Sequence, residues 1–259
     1  MDTALPIGVF DSGVGGLSIL KALRSELPGE HFVYLADTAH APYGERDDDY
    51  VMARTRTIVQ RLRDEHAIKA LVIACNTATA AAVRQTRMEY PQLPVIGVEP
   101  ALKPALALSR TRRIAVLATR ATLASAKFAA LHDSLKEQAE FVLQPCDGLA
   151  AAIEADDSPR IAALCEQYTR AAGEFGTQPG QIDTLVLGCT HYPFAAAQFG
   201  RLVGPSVQLV ETGAPVARQT RRLLEAAALL DARATGRIEL LATGSREALA
   251  EAARRWRLH

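Results

Sequence analysis

The sequence predicts an α/β protein made of two pseudo-symmetric domains, each of them a doubly wound parallel sheet. Short apolar runs alternate with helix-like segments along almost the whole chain, which is typical of strands and helices alternating in parallel sheets. Two of the runs also resemble each other: LVIACNTATA begins at Leu71 and LVLGCTHYPF begins at Leu185. Each run ends at a cysteine followed by small polar residues, so we expect two buried strands that each carry a thiol at the carboxyl end.

In the first half, the apolar runs predict four strands, and the longer amphipathic segments between them predict helices. We expect strands at Ile7–Phe10, Phe32–Leu35, Leu71–Ala74 and Val95–Val98, and helices at Gly16–Glu26, Asp48–Arg63 and Thr77–Met88. The second half repeats this alternation. There we expect strands at Ile114–Leu117, Phe141–Leu143, Leu185–Leu187 and Val207–Val210, and helices at about Leu123–Lys136, Arg160–Ala172 and Phe194–Val203.

The two halves match segment by segment, which indicates an internal duplication. IGVFDS at Ile7 pairs with IAVLAT at Ile114, and Cys75 pairs with Cys189 at a similar spacing. The remaining tail has no counterpart in the second half, and it predicts a helix at Val216–Leu230, a strand at Ile238–Thr243 and a helix at Arg246–Trp256. We therefore expect a first domain formed by residues 1–99 plus 212–259, a second domain formed by residues 100–211, and an active site in the interdomain cleft.

Composition and charge exclude several classes of function. Apolar residues make up 49% of the chain, which argues against disorder. Basic and acidic residues both number 29, so no nucleic-acid partner is predicted. No apolar run is long enough to span a membrane and no signal peptide is evident, so we expect a cytoplasmic protein with four reduced cysteines.

The strand ends carry the residues on which chemistry is expected. If the two halves face each other, Cys75 and Cys189 flank one ligand, and two bases on opposite faces of a carbon are what stereochemical inversion by proton exchange requires. A free thiol has a pKa of about 8.5, which helix N-termini and cationic groups lower. Both cysteines precede predicted helices. Asp11 and His191 are candidate helpers for proton transfer.

Four motifs together resemble the glutamate racemases, a family of cofactor-independent amino-acid racemases. They are FDSGVGGLSIL (Phe10–Leu20), APYG (Ala41–Gly44), ACNTATA (Ala74–Ala80) and GCTHYP (Gly188–Pro193), and they occur in the family's order and spacing. The resemblance extends over essentially the whole chain. It implies two α/β domains, interconversion of L- and D-glutamate without a cofactor, and supply of D-glutamate for peptidoglycan.

The resemblance also implies roles for individual residues. Cys75 is expected to act on D-glutamate and Cys189 on L-glutamate, and Asp11, His191 and Glu154 complete the expected catalytic set. The expected substrate-binding residues are Asp11, Ser12, Pro42, Tyr43, Gly44, Asn76, Thr77, Thr119, Thr122, Thr190 and His191. We expect glutamate as the small-molecule substrate and a homodimer as the assembly.

Other interpretations remain open at this stage. The substrate is aspartate or another amino acid if the pocket has a different volume, and paired α/β lobes also occur in non-catalytic binding proteins. Dinucleotide binding is disfavoured because Ser18 occupies the place of the third glycine after Gly13 and Gly15. Metal binding is disfavoured because Cys189, His191 and Asp11 do not form a recognisable ligand spacing. Cys146 and Cys165 are interpreted as structural.

Overall fold

The computed structural model describes residues 2–231 and 235–258, and the chain divides into two compact units. The first unit comprises Met1–Val98 and Gly213–His259, and the second comprises Glu99–Thr212. Each unit contains one parallel sheet with helices packed against it.

The strands and helices follow one another in the predicted alternation. In chain order, the strands are β1 (Ile7–Asp11), β2 (Phe32–Ala36), β3 (Ala70–Ile73), β4 (Val95–Gly97), β5 (Arg113–Ala118), β6 (Glu140–Pro145), β7 (Thr184–Leu187), β8 (Gln208–Val210) and β9 (Ile238–Ala242). The helices are α1 (Leu17–Glu26), α2 (Asp48–His66), α3 (Asn76–Glu89), α4 (Leu102–Leu108), α5 (Arg120–Ala124), α6 (Ala126–Asp133), α7 (Leu149–Glu154), α8 (Ser158–Ala172), α9 (Ala196–Val203), α10 (Gly213–Ala226) and α11 (Arg246–Arg255). Short 3₁₀ turns cover Thr38–His40, Tyr43–Glu45 and Tyr192–Ala195.

The two sheets share one strand order. The first sheet runs β4-β3-β1-β2-β9, and the second sheet, read in the same sense, runs β8-β7-β5-β6. All of these neighbouring pairs are parallel. The prediction of two parallel-sheet α/β halves is therefore confirmed, and β9 from the chain's tail adds a fifth strand beside β2.

Side-chain alternation explains the apolar composition of the strands. In the second unit, Ile114 and Val116 belong to the core on one face of the sheet, whereas Ala115 and Leu117 belong to the core on the other face. Successive side chains of a strand point to opposite faces, so a strand covered by helices on both sides must be apolar throughout. This is why these strands appear in the sequence as continuous apolar runs.

Several sequence-based boundaries were wrong, each for a local reason. The single helix expected at Leu123–Lys136 is two helices, because Ser125 adopts an extended conformation and its hydroxyl caps α6 by accepting from the N–H of Phe128 at 3.1 Å. The helix expected from Phe194 starts later, since the chain first forms the 3₁₀ turn Tyr192–Ala195. The short helices α4 and α7 were not predicted, because seven and six residues give little periodic signal.

A buried carboxylate, Asp183, joins the start of β7 to the loop after α4. One of its oxygens accepts hydrogen bonds from the hydroxyls of Ser109 at 2.7 Å and Thr184 at 2.9 Å. The other accepts from the backbone N–H groups of Arg110 at 2.6 Å and Thr111 at 2.8 Å. Burial alone would raise the pKa of this carboxyl group, but these hydrogen bonds outweigh burial and hold its pKa below the ordinary value.

Within the part of the chain that the structure describes, no helix combines the length and the apolar character needed to cross a membrane.

Replacing Asp183 with Asn should lower the free energy of unfolding at pH 7 by about 2 kcal/mol, because the amide cannot accept all four charge-assisted hydrogen bonds. A depressed folded-state pKa contributes stability above the unfolded pKa, and that contribution disappears as the pH falls through the folded value. The difference between wild type and Asp183→Asn should therefore shrink as the pH falls below about 4. Urea unfolding at a series of pH values measures it.

The matched control is Asp133→Asn, at the exposed end of α6, where the carboxylate pairs with Lys136. It should leave the unfolding curve nearly unchanged. An Asp183→Asn protein as stable as the wild type at pH 7 would refute the structural role assigned to this carboxylate.

Candidate active site

Strand alternation places the two cysteines at equivalent positions of their sheets. In the first unit, Leu71, Ile73 and Cys75 belong to one core cluster, as expected for residues that lie two apart along and just beyond β3. In the second unit, Leu185, Leu187 and Cys189 likewise belong to one cluster around β7. Both cysteines are almost fully buried, at 5% and 6% exposure, and both follow the carboxyl end of their strand. Ligands of open α/β sheets bind at these ends.

Cys75 is the N-cap residue of α3. Its sulfur accepts a hydrogen bond from the backbone N–H of Ala78 at 3.4 Å, in the position that a serine or aspartate cap usually occupies. The N-terminus of a helix also stabilises negative charge through the aligned peptide dipoles. The sequence ACNTATA therefore gives the thiol a site that suits a sulfur which gains and loses a proton.

Asp11 and Ser12 connect the end of β1 to this thiol. One carboxylate oxygen of Asp11 accepts from the N–H of Ser12 at 2.6 Å and from its hydroxyl at 3.2 Å. The Ser12 hydroxyl lies 3.7 Å from the sulfur of Cys75. The structure thus brings a carboxylate, a hydroxyl and a thiol together at the ends of adjacent strands β1 and β3.

Close packing requires a glycine at position 16, in the glycine-rich turn after β1. A Cβ added at Gly16 would lie 2.6 Å from the Cβ of Asp11 and 2.9 Å from the hydroxyl of Tyr34. That hydroxyl donates to the carbonyl of Gly13 at 2.6 Å and fixes the turn. The backbone of the turn therefore packs directly against Asp11, and no larger residue fits at Gly16.

Tyr43 is the buried member of the Pro42–Gly44 segment. Its side chain is 1% exposed and belongs to the same core cluster as Cys75, whereas Pro42 is exposed and Gly44 is half-buried. The Tyr43 hydroxyl donates to a carboxylate oxygen of Asp37 at 2.6 Å. Burial raises the pKa of Tyr43 far above its ordinary value, and the hydrogen bond to Asp37 raises it further, so this group stays a phenol.

Asn76 carries an unpaired buried oxygen. Its side-chain N–H donates to the carbonyl of Val98 at 3.4 Å, but its Oδ1 atom has no hydrogen-bond partner among the described residues. Such a group costs folding free energy unless it binds something else, for instance an ammonium group of a ligand. The neighbouring Thr77 is also buried.

In the second unit, Cys189 lies beside a histidine and a glutamate. The Nδ1 atom of His191 is 3.8 Å from the sulfur of Cys189, and its Nε2 atom is 2.6 Å from an oxygen of Glu154 at the end of α7. Burial opposes charge on the imidazole. Hydrogen bonds with Cys189 and Glu154 outweigh burial and hold the pKa of His191 well above its ordinary value.

The expectation that Cys189 directly precedes a helix was wrong. A turn and the 3₁₀ segment Tyr192–Ala195 separate it from α9, which begins at Ala196. Gly188, just before the cysteine, has no room for a side chain, since a Cβ there would lie 2.8 Å from the carbonyl oxygen of Leu117. The environment of Cys189 is therefore dominated by an imidazole and not by a helix N-terminus.

Two of the three candidate threonines of the second unit follow strand ends, and the third, Thr122, lies in α5. Thr119 directly follows β5 and caps α5, with its hydroxyl donating to the hydroxyl of Thr122 at 2.9 Å and accepting from the N–H of Thr122 at 3.2 Å. Thr190 follows Cys189 and is 1% exposed. These hydroxyls are neutral hydrogen-bonding groups suited to a polar ligand.

The remaining cysteines have the properties of structural residues. All four cysteines are free thiols. Burial raises the pKa of Cys165 to about 12, and burial together with the nearby Cys189 raises that of Cys146 further. Among the described residues, no group of three or more His, Cys, Asp or Glu side chains is arranged to hold a metal ion.

Sequence reasoning missed the partners of Tyr43. The structure shows that Asp37, at the end of β2, receives two hydrogen bonds from Arg54 on α2. The strand-end position of Asp37 indicates a carboxylate suited to function, but the sequence does not predict its contact with Tyr43. The sequence contains no such signal for Arg54, because its contact with Asp37 depends on how α2 packs against the sheet.

Two similar parallel sheets that each present a buried cysteine at a strand end define a thiol-bearing α/β protein with a repeated architecture. A sequence model of the Asp/Glu/Hydantoin racemase family matches residues 7–220. This match spans most of the protein, and the chain belongs to that family.

Individual members of the family are similar over nearly their full length. The glutamate racemase of Ectopseudomonas mendocina (strain ymp) is 47% identical over 253 residues, which are 97% of this chain and 88% of the relative. The solved structure of glutamate racemase isoform RacE1 from Bacillus anthracis has a TM-score of 0.87 and 28% identity, covering 99% of this chain and 95% of that one. Escherichia coli glutamate racemase, solved with L-glutamate and the activator UDP-MurNAc-ala, has a TM-score of 0.82 and 28% identity. The match covers 97% of this chain and 95% of that one.

Replacing Glu154 with Gln should lower the pKa of His191, because the variant removes the negative charge that lies 2.6 Å from Nε2. NMR titration of the imidazole nitrogens measures this directly and needs no substrate. In the wild type the pKa should exceed the ordinary histidine value, and in the variant burial should bring it down.

Glu166→Gln on α8 is the control, because Glu166 is exposed and pairs with Arg170. An unchanged His191 titration in Glu154→Gln would show that the carboxylate does not set the charge of the imidazole.

Proposed function

We propose that this protein interconverts L-glutamate and D-glutamate by two-base proton transfer at Cα, with Cys75 and Cys189 as the two acid–base groups. The observation that carries the proposal is the equivalent placement of both thiols: each is buried, and each lies two residues beyond the end of the corresponding strand, β3 or β7, of its sheet. The glutamate racemases to which the chain is similar support the choice of substrate.

The proposed reaction moves one proton off Cα and another onto it. In the L-to-D direction, the thiolate of Cys189 takes the Cα proton and becomes a thiol. The electron pair left on Cα then takes the proton of the Cys75 thiol on the other face of the carbon, and Cys75 becomes a thiolate. The D-to-L direction exchanges the two roles, so no redox change occurs and the net charge of the two thiols is conserved.

We assign Asp11, His191 and Glu154 to proton transfer around these thiols. Asp11 is linked to Cys75 through the Ser12 hydroxyl, and His191 lies directly beside Cys189 with Glu154 behind it. Both arrangements offer a path by which a proton exchanges with a thiol between turnovers.

We assign substrate binding to residues at the strand ends and in the segments that follow them. The unpaired Oδ1 atom of Asn76 is a ready acceptor for the substrate ammonium group. Hydroxyls and backbone N–H groups of Ser12, Gly44 and Thr77 hold the carboxylates without a formal positive charge. The other proposed substrate-binding residues are Asp11, Pro42, Tyr43, Thr119, Thr122, Thr190 and His191.

We propose that the reaction needs no cofactor, takes place in the cytoplasm and supplies D-glutamate for peptidoglycan, which is the standard role of the family. We also propose that the two compact units correspond to the domains expected at 1–99 plus 212–259 and at 100–211.

Aspartate is the second candidate substrate, because the family model that matches covers Asp, Glu and hydantoin racemases. Initial rates on L-aspartate and L-glutamate, compared at equal concentrations, decide between them.

Racemisation of L-glutamate in deuterium oxide, without added cofactor, should place deuterium at Cα of the D-glutamate product while the recovered L-glutamate keeps its hydrogen. The reason is that the proton delivered comes from a thiol that has exchanged with solvent, whereas the proton removed leaves on the other thiol. Mass spectrometry of the separated enantiomers at low conversion measures both. Product without deuterium would exclude this mechanism, and ligand binding with no turnover would favour a non-catalytic binding protein.

Single replacement of Cys75 or Cys189 by Ala should lower kcat at least about 1,000-fold, since each direction of the reaction needs both a base and an acid. Circular dichroism should show an unchanged fold. Cys165→Ala is the matched control, because it removes another buried thiol of the second unit and should leave kcat unaffected. Full turnover in either active-site variant would contradict the two-thiol proposal.

We also propose a homodimer, on the basis of the family resemblance alone. Light scattering after size-exclusion chromatography should give twice the 27.8 kDa mass of the chain. A monomer mass at the concentrations of the activity assay would contradict this.

A further inference from the structure

Asp37 is the centre of a buried charged cluster that none of the proposed chemical steps uses. Its carboxylate is 0% exposed and receives the Tyr43 hydroxyl at 2.6 Å. Arg54 donates through Nε at 3.0 Å to one oxygen and through Nη2 at 3.0 Å to the other. Nδ1 of His40 lies 3.1 Å from the same carboxylate. We call these four residues the Asp37 cluster.

The cluster connects three separate elements of the first unit. Asp37 follows β2, Arg54 belongs to the second turn of α2, and Tyr43 lies in the segment between them. A bidentate guanidinium–carboxylate pair fixes direction as well as distance, because two parallel hydrogen bonds resist rotation. Arg54 therefore defines where the Asp37 carboxylate points, and that carboxylate defines where the phenol of Tyr43 lies.

The opposite charges of Asp37 and Arg54 stabilise the arrangement. Burial would raise the pKa of Asp37, but the hydrogen bonds from Arg54 and Tyr43 outweigh burial and hold it below its ordinary value. The hydrogen bonding between Arg54 and Asp37 also raises the pKa of the Arg54 guanidinium. Both groups therefore stay charged at neutral pH, and removing either would leave a buried charge without its partner.

The cluster also reaches the neighbourhood of the thiol. The Tyr43 ring belongs to the core cluster that contains Cys75, and the two neighbouring residues Pro42 and Gly44 are accessible. A shift of the phenol therefore moves the Pro42–Gly44 backbone, whereas the hydrogen bonds of Cys75 with Ala78 and Ser12 do not involve the cluster.

We propose that Arg54, acting through Asp37, is a positioning residue that holds the Pro42–Gly44 segment in the geometry that binds a carboxylate of the substrate. This inference rests on the proposed function, since it assigns the segment to substrate binding. Arg54 itself does not touch the substrate. Its loss weakens substrate binding and leaves proton transfer largely intact.

The test compares Arg54→Gln and Arg54→Lys with the wild type in steady-state racemisation of both enantiomers of glutamate. Arg54→Gln should raise KM about 10- to 100-fold, the effect of losing hydrogen bonds to a charged group, with kcat changed less than about 3-fold. Arg54→Lys keeps the charge but loses the bidentate geometry, so its KM should fall between those of Arg54→Gln and the wild type.

Arg61→Gln is the matched control on the same helix, because Arg61 pairs with Glu65 on the surface and has no connection to the segment. Its KM should equal that of the wild type. Hydrogen–deuterium exchange of residues 38–46 should accelerate in Arg54→Gln and not in Arg61→Gln, which reports displacement of the segment without substrate.

A double variant tests the route through Tyr43. If Arg54 acts through the phenol, the combined effect of Arg54→Gln and Tyr43→Phe on KM should be smaller than the product of the two single effects. Independent, multiplicative effects would overturn this route.

The possible failures can be told apart. A wild-type protein that does not racemise glutamate contradicts the proposed function and this inference with it. An active wild type with unchanged KM in Arg54→Gln, or with a loss confined to kcat in both Arg54 variants, overturns the positioning role and leaves the proposed function standing.

Discussion

The structure around both candidate cysteines depends on strand pairing that continues to the last residue before each cysteine. The N–H of Ala74 donates to the carbonyl of Phe10 at 2.6 Å, and the N–H of Gly188 donates to the carbonyl of Leu117 at 2.7 Å. These bonds fix the backbone next to each thiol, and the period-two alternation of the strand then fixes the face on which each sulfur lies. A shift of register by one residue would turn each cysteine to the opposite face.

The strand pairing is the same in both units, but the side chains that surround the two thiols differ chemically. Cys75 lies at a helix N-terminus, next to a hydroxyl that is bound to the Asp11 carboxylate. Cys189 lies beside His191, which Glu154 holds in place. The two units therefore share the strand order and the cysteine, whereas the groups around each thiol differ. Such a difference is expected, because sheet geometry sets the position of each cysteine and individual side chains set its surroundings.

The sequence was sufficient to predict what depends on local pattern. The runs ending at Cys75 and Cys189 predicted strands because buried parallel strands are continuously apolar, and the repeated order of segments predicted two similar sheets. Ser125 and the 3₁₀ turn after His191 changed helix boundaries, since a cap or a tight turn depends on backbone angles that periodicity does not report. Contacts between elements that are distant in the sequence, such as that of Arg54 with Asp37, could not be predicted from local pattern and became evident only in the folded structure.

Under the proposed mechanism, thermodynamics limits what the chemical difference between the surroundings of the two thiols can do. Two enantiomers have equal free energies in water, so the equilibrium constant is unity and kcat/KM must be equal in both directions, whatever surrounds each thiol. Unequal environments can therefore make kcat and KM individually differ between the two directions, but they cannot make kcat/KM differ. A helix N-terminus at one thiol and an imidazole at the other are compatible with this limit because each thiol serves as base in one direction and as acid in the other. The same limit means that a substitution near one thiol must change kcat/KM for both enantiomers by the same factor.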